Sequence, residues 1–135
     1  MTPPSLPPML DLARRALANA HAPYSRFRVG ACLRAAGGAL HAGCNVENAS
    51  HPVGQCAEAT AIGAMVAAGD RRIVEVVVLT EGPALCPPCG RYRQQLAEFA
   101  APDTPVHLCG PEGVRRTVTL GELLPLAFGP DTMER

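Results

Sequence analysis

The run IVEVVVLT, residues 73–80, predicts a strand at the centre of this protein. It is rich in β-branched residues and does not alternate between polar and apolar side chains. A short apolar run of this kind is typical of a strand that is covered on both faces. CAEATAIGAMVAAG (56–69) before it and CGRYRQQLAEFA (89–100) after it predict helices, the first from about 56 to 68 and closed by Gly69. The three segments together predict helix, buried strand and helix.

A β-hairpin is predicted before this unit. RFRVGACLRAAGGALHAGCNV alternates polar and apolar residues around Gly37-Gly38, which favours strands near 27–35 and 39–46. The preceding MLDLARRALANAH (9–21) places apolar residues on one helical face. The first eight residues contain four prolines and are predicted to form an extended arm.

After residue 100, PVHLCG and RRTVTLG predict two short strands, and ELLPLAFGP predicts a last short helix and tail. The predicted order is therefore α-β-β-α-β-α-β-β. Helices that alternate with strands favour a mixed sheet covered on both faces. We predict an α/β fold, a three-layer α/β/α sandwich with about five strands, in a single domain over residues 1–135.

The composition indicates which partners to expect. Twelve basic residues balance twelve acidic ones, so the chain has no bulk attraction to nucleic acid or to an anionic membrane. No segment approaches the roughly 18 apolar residues of a membrane span. The first ten residues lack the basic start and long apolar run of a signal peptide. We therefore expect a soluble cytoplasmic protein that binds neither nucleic acid nor membrane.

The sequence contains six cysteines, an even number that is compatible with disulfides. Without a secretory signal, free thiols or metal ligands are favoured over disulfides. The six are Cys32, Cys44, Cys56, Cys86, Cys89 and Cys109.

Cys56 and Cys89 open the two helices on either side of the central strand, so their N-termini can point at the same spot. Helix N-termini are partly positive, and thiolates placed there have lowered pKa values. Three thiolates with one open position are typical of a catalytic zinc site, beside which a carboxylate such as Glu58 can move protons. Alone, Cys56 is typical of a small buried residue, Glu58 of a first-turn acid, and C-x-x-C of a redox pair. Together they favour metal chemistry.

Five segments in the same order resemble one protein family. They are PYSRFRVGA, GCNVENAS, CAEATAI, PCGRYRQQLAEF and LLPLAFGP, and they span nearly the whole chain. This pattern resembles the small cytidine deaminases, the homotetrameric branch of the zinc-dependent nucleoside deaminases, whose signature is a ligand-x-Glu followed by P-C-x-x-C. The resemblance implies Zn²⁺ as cofactor, a pyrimidine nucleoside as substrate and a homotetramer as the assembly.

The resemblance also implies roles for individual residues. Cys56 and Cys89 would ligate zinc. Glu58 would protonate N3 of the pyrimidine, take a proton from the attacking water and deliver one to the departing ammonia.

The substrate-binding residues follow from the same resemblance. Phe27 would stack on the base; alternatively, it is a core residue of the predicted strand. Asn45 and Glu47 would hydrogen-bond the ribose 3′-hydroxyl, although Asn45 and Asn48 could instead shape the turn after a strand. Ala57 would contact the base through its backbone. Ala49 would approach the sugar bound in a neighbouring subunit, and Phe128 would reach into a neighbouring subunit's pocket.

The third zinc ligand departs from the family pattern, because Tyr92 stands where relatives carry the second cysteine of PCGxCRQ. A phenol has a pKa near 10, and zinc prefers sulfur and imidazole. Cys86, in the knuckle-like CPPCG, is the predicted substitute. A Tyr92 phenolate, water or another ligand, and loss of the site remain the alternatives.

Two further departures lie close to the predicted site. Ala59 stands where many relatives carry arginine. That arginine partly offsets the net charge of about −1 that three thiolates leave on zinc. The helix N-termini, Arg91 or Arg93 would then have to supply that compensation. His51 stands where relatives often place tyrosine beside the 5′ end of the sugar.

We therefore predict zinc-dependent hydrolytic deamination of cytidine, and of 2′-deoxycytidine, to the uracil nucleosides and ammonia. Two alternatives remain open. One is a deaminase for a modified aminopyrimidine such as blasticidin S, since CAEA also resembles that group. The other is a catalytically inactive zinc-binding protein with the deaminase fold.

Overall fold

A five-stranded mixed sheet forms the middle layer of the computed structural model, which describes residues 3–133. This confirms the predicted fold class. The elements are α1 (Leu6–Ala18), β1 (Val29–Ala35), β2 (Leu40–Cys44), α2 (Ala57–Ala67), β3 (Ile73–Thr80), α3 (Gly90–Phe99), β4 (Pro105–Gly110), β5 (Gly113–Thr119) and α4 (Leu120–Leu123), with 3₁₀ turns at His51–Val53 and Pro130–Met133.

The strand order is β2-β1-β3-β4-β5, so β3 lies at the centre as predicted. β3 and β4 run parallel, with Val76 opposite Val106, while the other neighbouring pairs are antiparallel. The β1–β2 hairpin turns at Gly38, whose φ of 99° favours glycine.

Two hydrophobic clusters pack on opposite faces of the sheet. On one face, Met65 of α2 and Leu96 of α3 pack with Val76 and Val78 of β3. On the other, α1 packs against the alternate side chains of the same strand, Val77 and Leu79. β3 is therefore buried on both sides, which explains its continuous apolar sequence.

The predicted extended arm over residues 1–8 is wrong for residues 6–8, because α1 begins at Leu6. Pro7 and Pro8 fall in the first turn, where a missing N–H breaks no helical hydrogen bond. Residues 1 and 2 lie outside the described part of the chain.

The last helix also differs from the prediction. It covers Leu120–Leu123 rather than starting at residue 122, because Thr119 and Glu122 form a reciprocal capping box at its start. Pro125 disfavours the helical conformation at Leu124, which has φ −138° and ψ 70°. Across residues 3–133, the structure contains no helix long and apolar enough to cross a membrane.

Candidate active site

The N-termini of α2 and α3 lie at the same end of β3. α2 leads into β3 and α3 leaves it, and both helices pack on one face of the sheet and contact each other. Each helix runs back along the strand, so both helices begin near its carboxyl end. In open α/β sheets, the carboxyl ends of strands are where binding sites form.

Cys56 and Cys89 are the N-cap residues of α2 and α3. Both have extended backbone, with ψ of 164° and 165°, and neither side chain caps its own helix. Tyr92, in the first turn after Cys89, accepts a hydrogen bond from the Cys56 backbone, so the two N-cap residues lie near each other. The structure therefore brings these two predicted ligands together.

The pKa of the Cys56 thiol is raised, which differs from the lowered value expected at a helix N-terminus. Burial is the largest cause; a hydrogen bond from Tyr92 acts in the opposite direction, and Glu58 and Cys89 add repulsion. Desolvation of the sulfur therefore outweighs the opposing effect of Tyr92 on this pKa.

Glu58 lies in the first turn of α2 and is only 3% exposed. Burial raises the pKa of its carboxyl group, and a hydrogen bond from its own backbone N–H opposes the rise. A buried carboxyl group with a raised pKa can hold a proton and release it during a reaction.

Cys86 is half-buried in the segment between β3 and α3. Burial raises the pKa of its thiol, and the charges of Glu58 and Cys89 raise it further. Cys86 therefore lies near both of these groups.

Tyr92 is buried, with 5% of its surface exposed, and reaches from α3 to the start of α2. Its hydroxyl accepts a hydrogen bond from the Cys56 backbone N–H at 3.2 Å. The guanidinium of Arg91 lies 5.6 Å from the centre of the Tyr92 ring. The Tyr92–Cys56 contact was not predicted from the sequence, because it depends on how the two helices pack.

The chemistry of these donors fits zinc, which prefers thiolates in a tetrahedral set. Cys56 and Cys89 begin two helices that contact each other, and Cys86 precedes Cys89 by three residues. Among residues 3–133, however, no three His, Cys, Asp or Glu side chains are placed closely enough to hold a metal ion as they stand. The third ligand is thus the incomplete part of the site.

Close contacts fix the helix that carries Cys56 and Glu58. A Cβ atom on Gly43 of β2 would lie 2.4 Å from the backbone nitrogen of Ala61, so α2 packs almost directly on that strand. The Thr60 hydroxyl of α2 bonds the Cys44 carbonyl at 2.7 Å. On the α3 side, Arg93 donates to the carbonyls of Pro88 (2.6 Å) and Leu123 (2.8 Å), so it does not turn towards the cysteines.

Asn45 and Glu47 both hold the segment that leads into β1. The Asn45 side chain accepts from the Val29 N–H at 2.9 Å and donates to the Phe27 carbonyl at 2.8 Å. Glu47 accepts from the N–H groups of Tyr24 (3.0 Å) and Ser25 (3.1 Å) and from the Ser25 hydroxyl.

The other predicted substrate residues differ in exposure. Phe27 precedes β1 and is 45% exposed, so it is not a buried core residue of that strand. Ala57 is fully buried at the start of α2, whereas Ala49 is exposed. Phe128 is 55% exposed, and its carbonyl accepts from Gln94 at 2.9 Å.

A cavity of about 580 Å³ opens beside Cys56. Asn45, Glu47 and Cys56 line it together with Tyr92 and Arg91. Tyr24, which was not predicted as a site residue, also lines this cavity. Its ring meets that of His51 edge-on, with the ring centres 6.0 Å apart. Its position beside Ser25, in a segment that resembles the family, was the available signal.

Comparisons with known proteins agree with this geometry. A family model described as "Cytidine and deoxycytidylate deaminase zinc-binding region" matches residues 7–108. The cytidine deaminase of Halalkalibacterium halodurans is 40% identical over 125 residues, which cover 93% of this chain and 95% of that protein. The cytidine deaminase of Mycobacterium tuberculosis H37Rv is 38% identical over 123 residues, which cover 91% and 89%. The crystal structure of cytidine deaminase from Burkholderia pseudomallei matches with a TM-score of 0.84 at 40% identity, covering 90% of this chain and 97% of that one.

Proposed function

Since this chain belongs to the cytidine deaminase family, we propose that it hydrolyses cytidine and 2′-deoxycytidine to the uracil nucleosides and ammonia, with Zn²⁺ as its cofactor. The observation that carries the proposal is the meeting of Cys56 and Cys89 at two helix N-termini, next to the buried Glu58. Thiolates and a carboxyl group at one place supply both a metal site and a proton carrier.

Zinc, when bound, supplies Lewis-acid activation of water. The chain supplies the proton transfers through Glu58. Its buried carboxyl group donates a proton to N3 of the pyrimidine ring, accepts one from the attacking water, and delivers one to the amino group that leaves from C4. The second proton of that water leaves the C4 hydroxyl as it becomes a carbonyl and the C4–N bond breaks. It returns to Glu58 and restores the protonated carboxyl group, so one residue can serve the whole cycle.

Asn45 and Glu47 would bind the ribose 3′-hydroxyl at the cavity wall. Each already bonds the segment before β1, but the Asn45 amide nitrogen has a second proton and the Glu47 carboxylate has further lone pairs. The exposed ring of Phe27 would stack on the base, and the Ala57 backbone would contact it.

Cys86 is our proposed third zinc ligand. It lies in a segment without regular secondary structure and already sits near Cys89 and Glu58.

The proposal is tested by measuring zinc content and ammonia release on the same preparation. We expect about one zinc per chain and turnover of cytidine. Cys86→Ser should lose stoichiometric zinc, whereas Tyr92→Phe should keep it. Zinc retained by Cys86→Ser would reject the third ligand, and a wild-type chain with neither zinc nor ammonia release would reject the enzyme.

Tyr92, at the position of the expected cysteine, is the observation that favours a catalytically inactive zinc-binding protein as the second candidate. Zinc content without turnover of cytidine, cytosine or blasticidin S would support that candidate. A rate highest on blasticidin S would instead favour the modified-aminopyrimidine enzyme.

We also propose that the chain acts as a single domain and assembles as a homotetramer. Phe128 would enter a neighbouring subunit's pocket, and Ala49 would approach a neighbour's sugar, which is consistent with the exposure of both residues. Light scattering should give four times the chain mass of 14.1 kDa. A monomer with full activity would contradict this assembly.

A further inference from the structure

The hydroxyl of Tyr92 has a proton that its one backbone contact does not use. It accepts the N–H of Cys56 at 3.2 Å through a lone pair, so its own O–H is free to donate. Because only 5% of the residue is exposed, burial favours a partner inside the protein for that proton.

The sulfur of Cys56 is the acceptor next to it. The Tyr92 hydroxyl lies 3.2 Å from the backbone nitrogen of the same residue, which places the Cys56 side chain next to the free O–H. The same side chain can therefore contact the backbone and the sulfur of one residue, which fixes the rotamer of Cys56.

Of the two neighbouring arginines, Arg93 is committed elsewhere, whereas Arg91 stays beside Tyr92 at the cavity wall. Arg93 donates to the carbonyls of Pro88 and Leu123, and Arg91 lies 5.6 Å from the Tyr92 ring centre. Position 59, next to Glu58, is an alanine. Three thiolates on Zn²⁺ would carry a net charge of about −1. A hydrogen-bond donor to one of the sulfurs would partly neutralise that charge.

We propose that Tyr92 is a positioning residue for the metal site, whose O–H donates a hydrogen bond to the sulfur of Cys56. The bond orients the sulfur towards the metal and withdraws negative charge from it. The inference rests on the proposed function, because it takes Cys56 to be a zinc ligand. Tyr92 acts through Cys56 and is not itself a ligand.

Tyr92→Phe tests the bond, because it removes the hydroxyl and keeps the ring. We expect one metal per chain to remain, with a zinc affinity lower by about 10–100-fold in competition with a chromophoric chelator. In the Co²⁺-substituted protein, the sulfur-to-cobalt charge-transfer band should move to lower energy, because the Cys56 sulfur becomes more electron-rich. Tyr24→Phe, at the other of the two tyrosines, should change neither reading.

Phenylalanine also leaves the Cys56 N–H without its acceptor, so the folding stability of the metal-free protein is measured in parallel. A second variant separates the two effects. In the Tyr24→Phe background, 3-fluorotyrosine at position 92 has a more acidic hydroxyl and donates more strongly. It should move the cobalt band to higher energy, opposite to Tyr92→Phe, whereas a purely structural role predicts no such reversal.

Three outcomes separate the possible failures. An unchanged band and affinity in Tyr92→Phe would overturn the hydrogen bond. Loss of stoichiometric metal in Tyr92→Phe would overturn it too, since Tyr92 would then be a ligand. Wild-type metal affinity in Cys56→Ser would instead reject the zinc site of the proposed function.

Discussion

Glu58 is the residue on which the proposed chemistry depends most directly. Glu58→Gln keeps the shape of the side chain but cannot exchange the proton, so kcat for cytidine should fall by about 10²–10⁴-fold. Zinc content should stay at one per chain, because Glu58 is not a proposed ligand. Ammonia release and elemental analysis measure the two effects.

Glu98→Gln is the matched control for this change, because Glu98 is exposed on α3 and away from the cavity walls. It should leave both readings unchanged. If Glu58→Gln deaminates cytidine at the wild-type rate, another group carries the proton.

The sequence could predict the residues at the two helix starts because a helix N-terminus has a local signature. Cys56 and Cys89 each precede a helical pattern, and both are N-cap residues in the structure. The partner of Tyr92 could not be predicted in this way. Its hydroxyl reaches a residue 36 positions earlier in the chain, and only the packing of α3 beside α2 brings the two together.

Among the elements, β3 was predicted with its observed bounds, Ile73–Thr80, whereas the ends of α1 and α4 were not. In a strand buried on both faces, the run of apolar residues begins and ends with the buried part of the strand, so its bounds can be predicted from the sequence. The start of α1 was missed because proline is compatible with both an extended arm and a first helical turn.

The contact between α2 and β2 should be sensitive to a single methyl group. In Gly43→Ala the new Cβ would lie 2.4 Å from the backbone nitrogen of Ala61 and 2.7 Å from the carbonyl oxygen of Ala57. Backbone atoms cannot rotate away, so α2 must move, and we expect a loss of about 1–3 kcal/mol in the free energy of unfolding. Zinc affinity should fall as well, because Cys56 moves with α2. Urea unfolding and chelator competition measure the two losses.

Gly63→Ala provides the control within the same helix. A Cβ at Gly63 meets no atom within 4 Å, so alanine should raise the free energy of unfolding by about 0.5–1 kcal/mol. Equal effects of the two substitutions would show that the α2–β2 contact is not tight.

A buried polar network connects the start of α1 and strand β5 to the central strand. Glu75 of β3 is 2% exposed and accepts hydrogen bonds from Ser5 (2.8 Å), Arg34 (2.9 Å) and His107 (2.7 Å). His107 also bonds Thr117 of β5 at 2.8 Å. The network therefore connects the start of α1 with four of the five strands, and it lies on the sheet face covered by α1, opposite α2 and α3.

The pKa of Glu75 predicts how the stability of the whole molecule depends on pH. Burial alone would raise this pKa, but the hydrogen bonds from Ser5, His107 and Arg34 outweigh burial and lower it. A carboxylate whose pKa is lower in the folded state stabilises the fold above its unfolded pKa of about 4.3. This stabilisation is lost as the pH falls from there through the folded pKa.

Glu75→Gln should therefore change both the level and the slope of the stability curve. Near pH 7 the variant leaves Arg34 and His107 without their anion, which should cost about 3–5 kcal/mol. Below pH of about 4.3 the wild-type curve should fall towards that of the variant, because the wild type then loses the same charge. Urea unfolding between about pH 3 and 7 measures this convergence, with the exposed Glu112→Gln as a control whose curve should stay close to that of the wild type. Curves that remain parallel down to the lowest pH would mean that the charge on Glu75 does not hold these strands together.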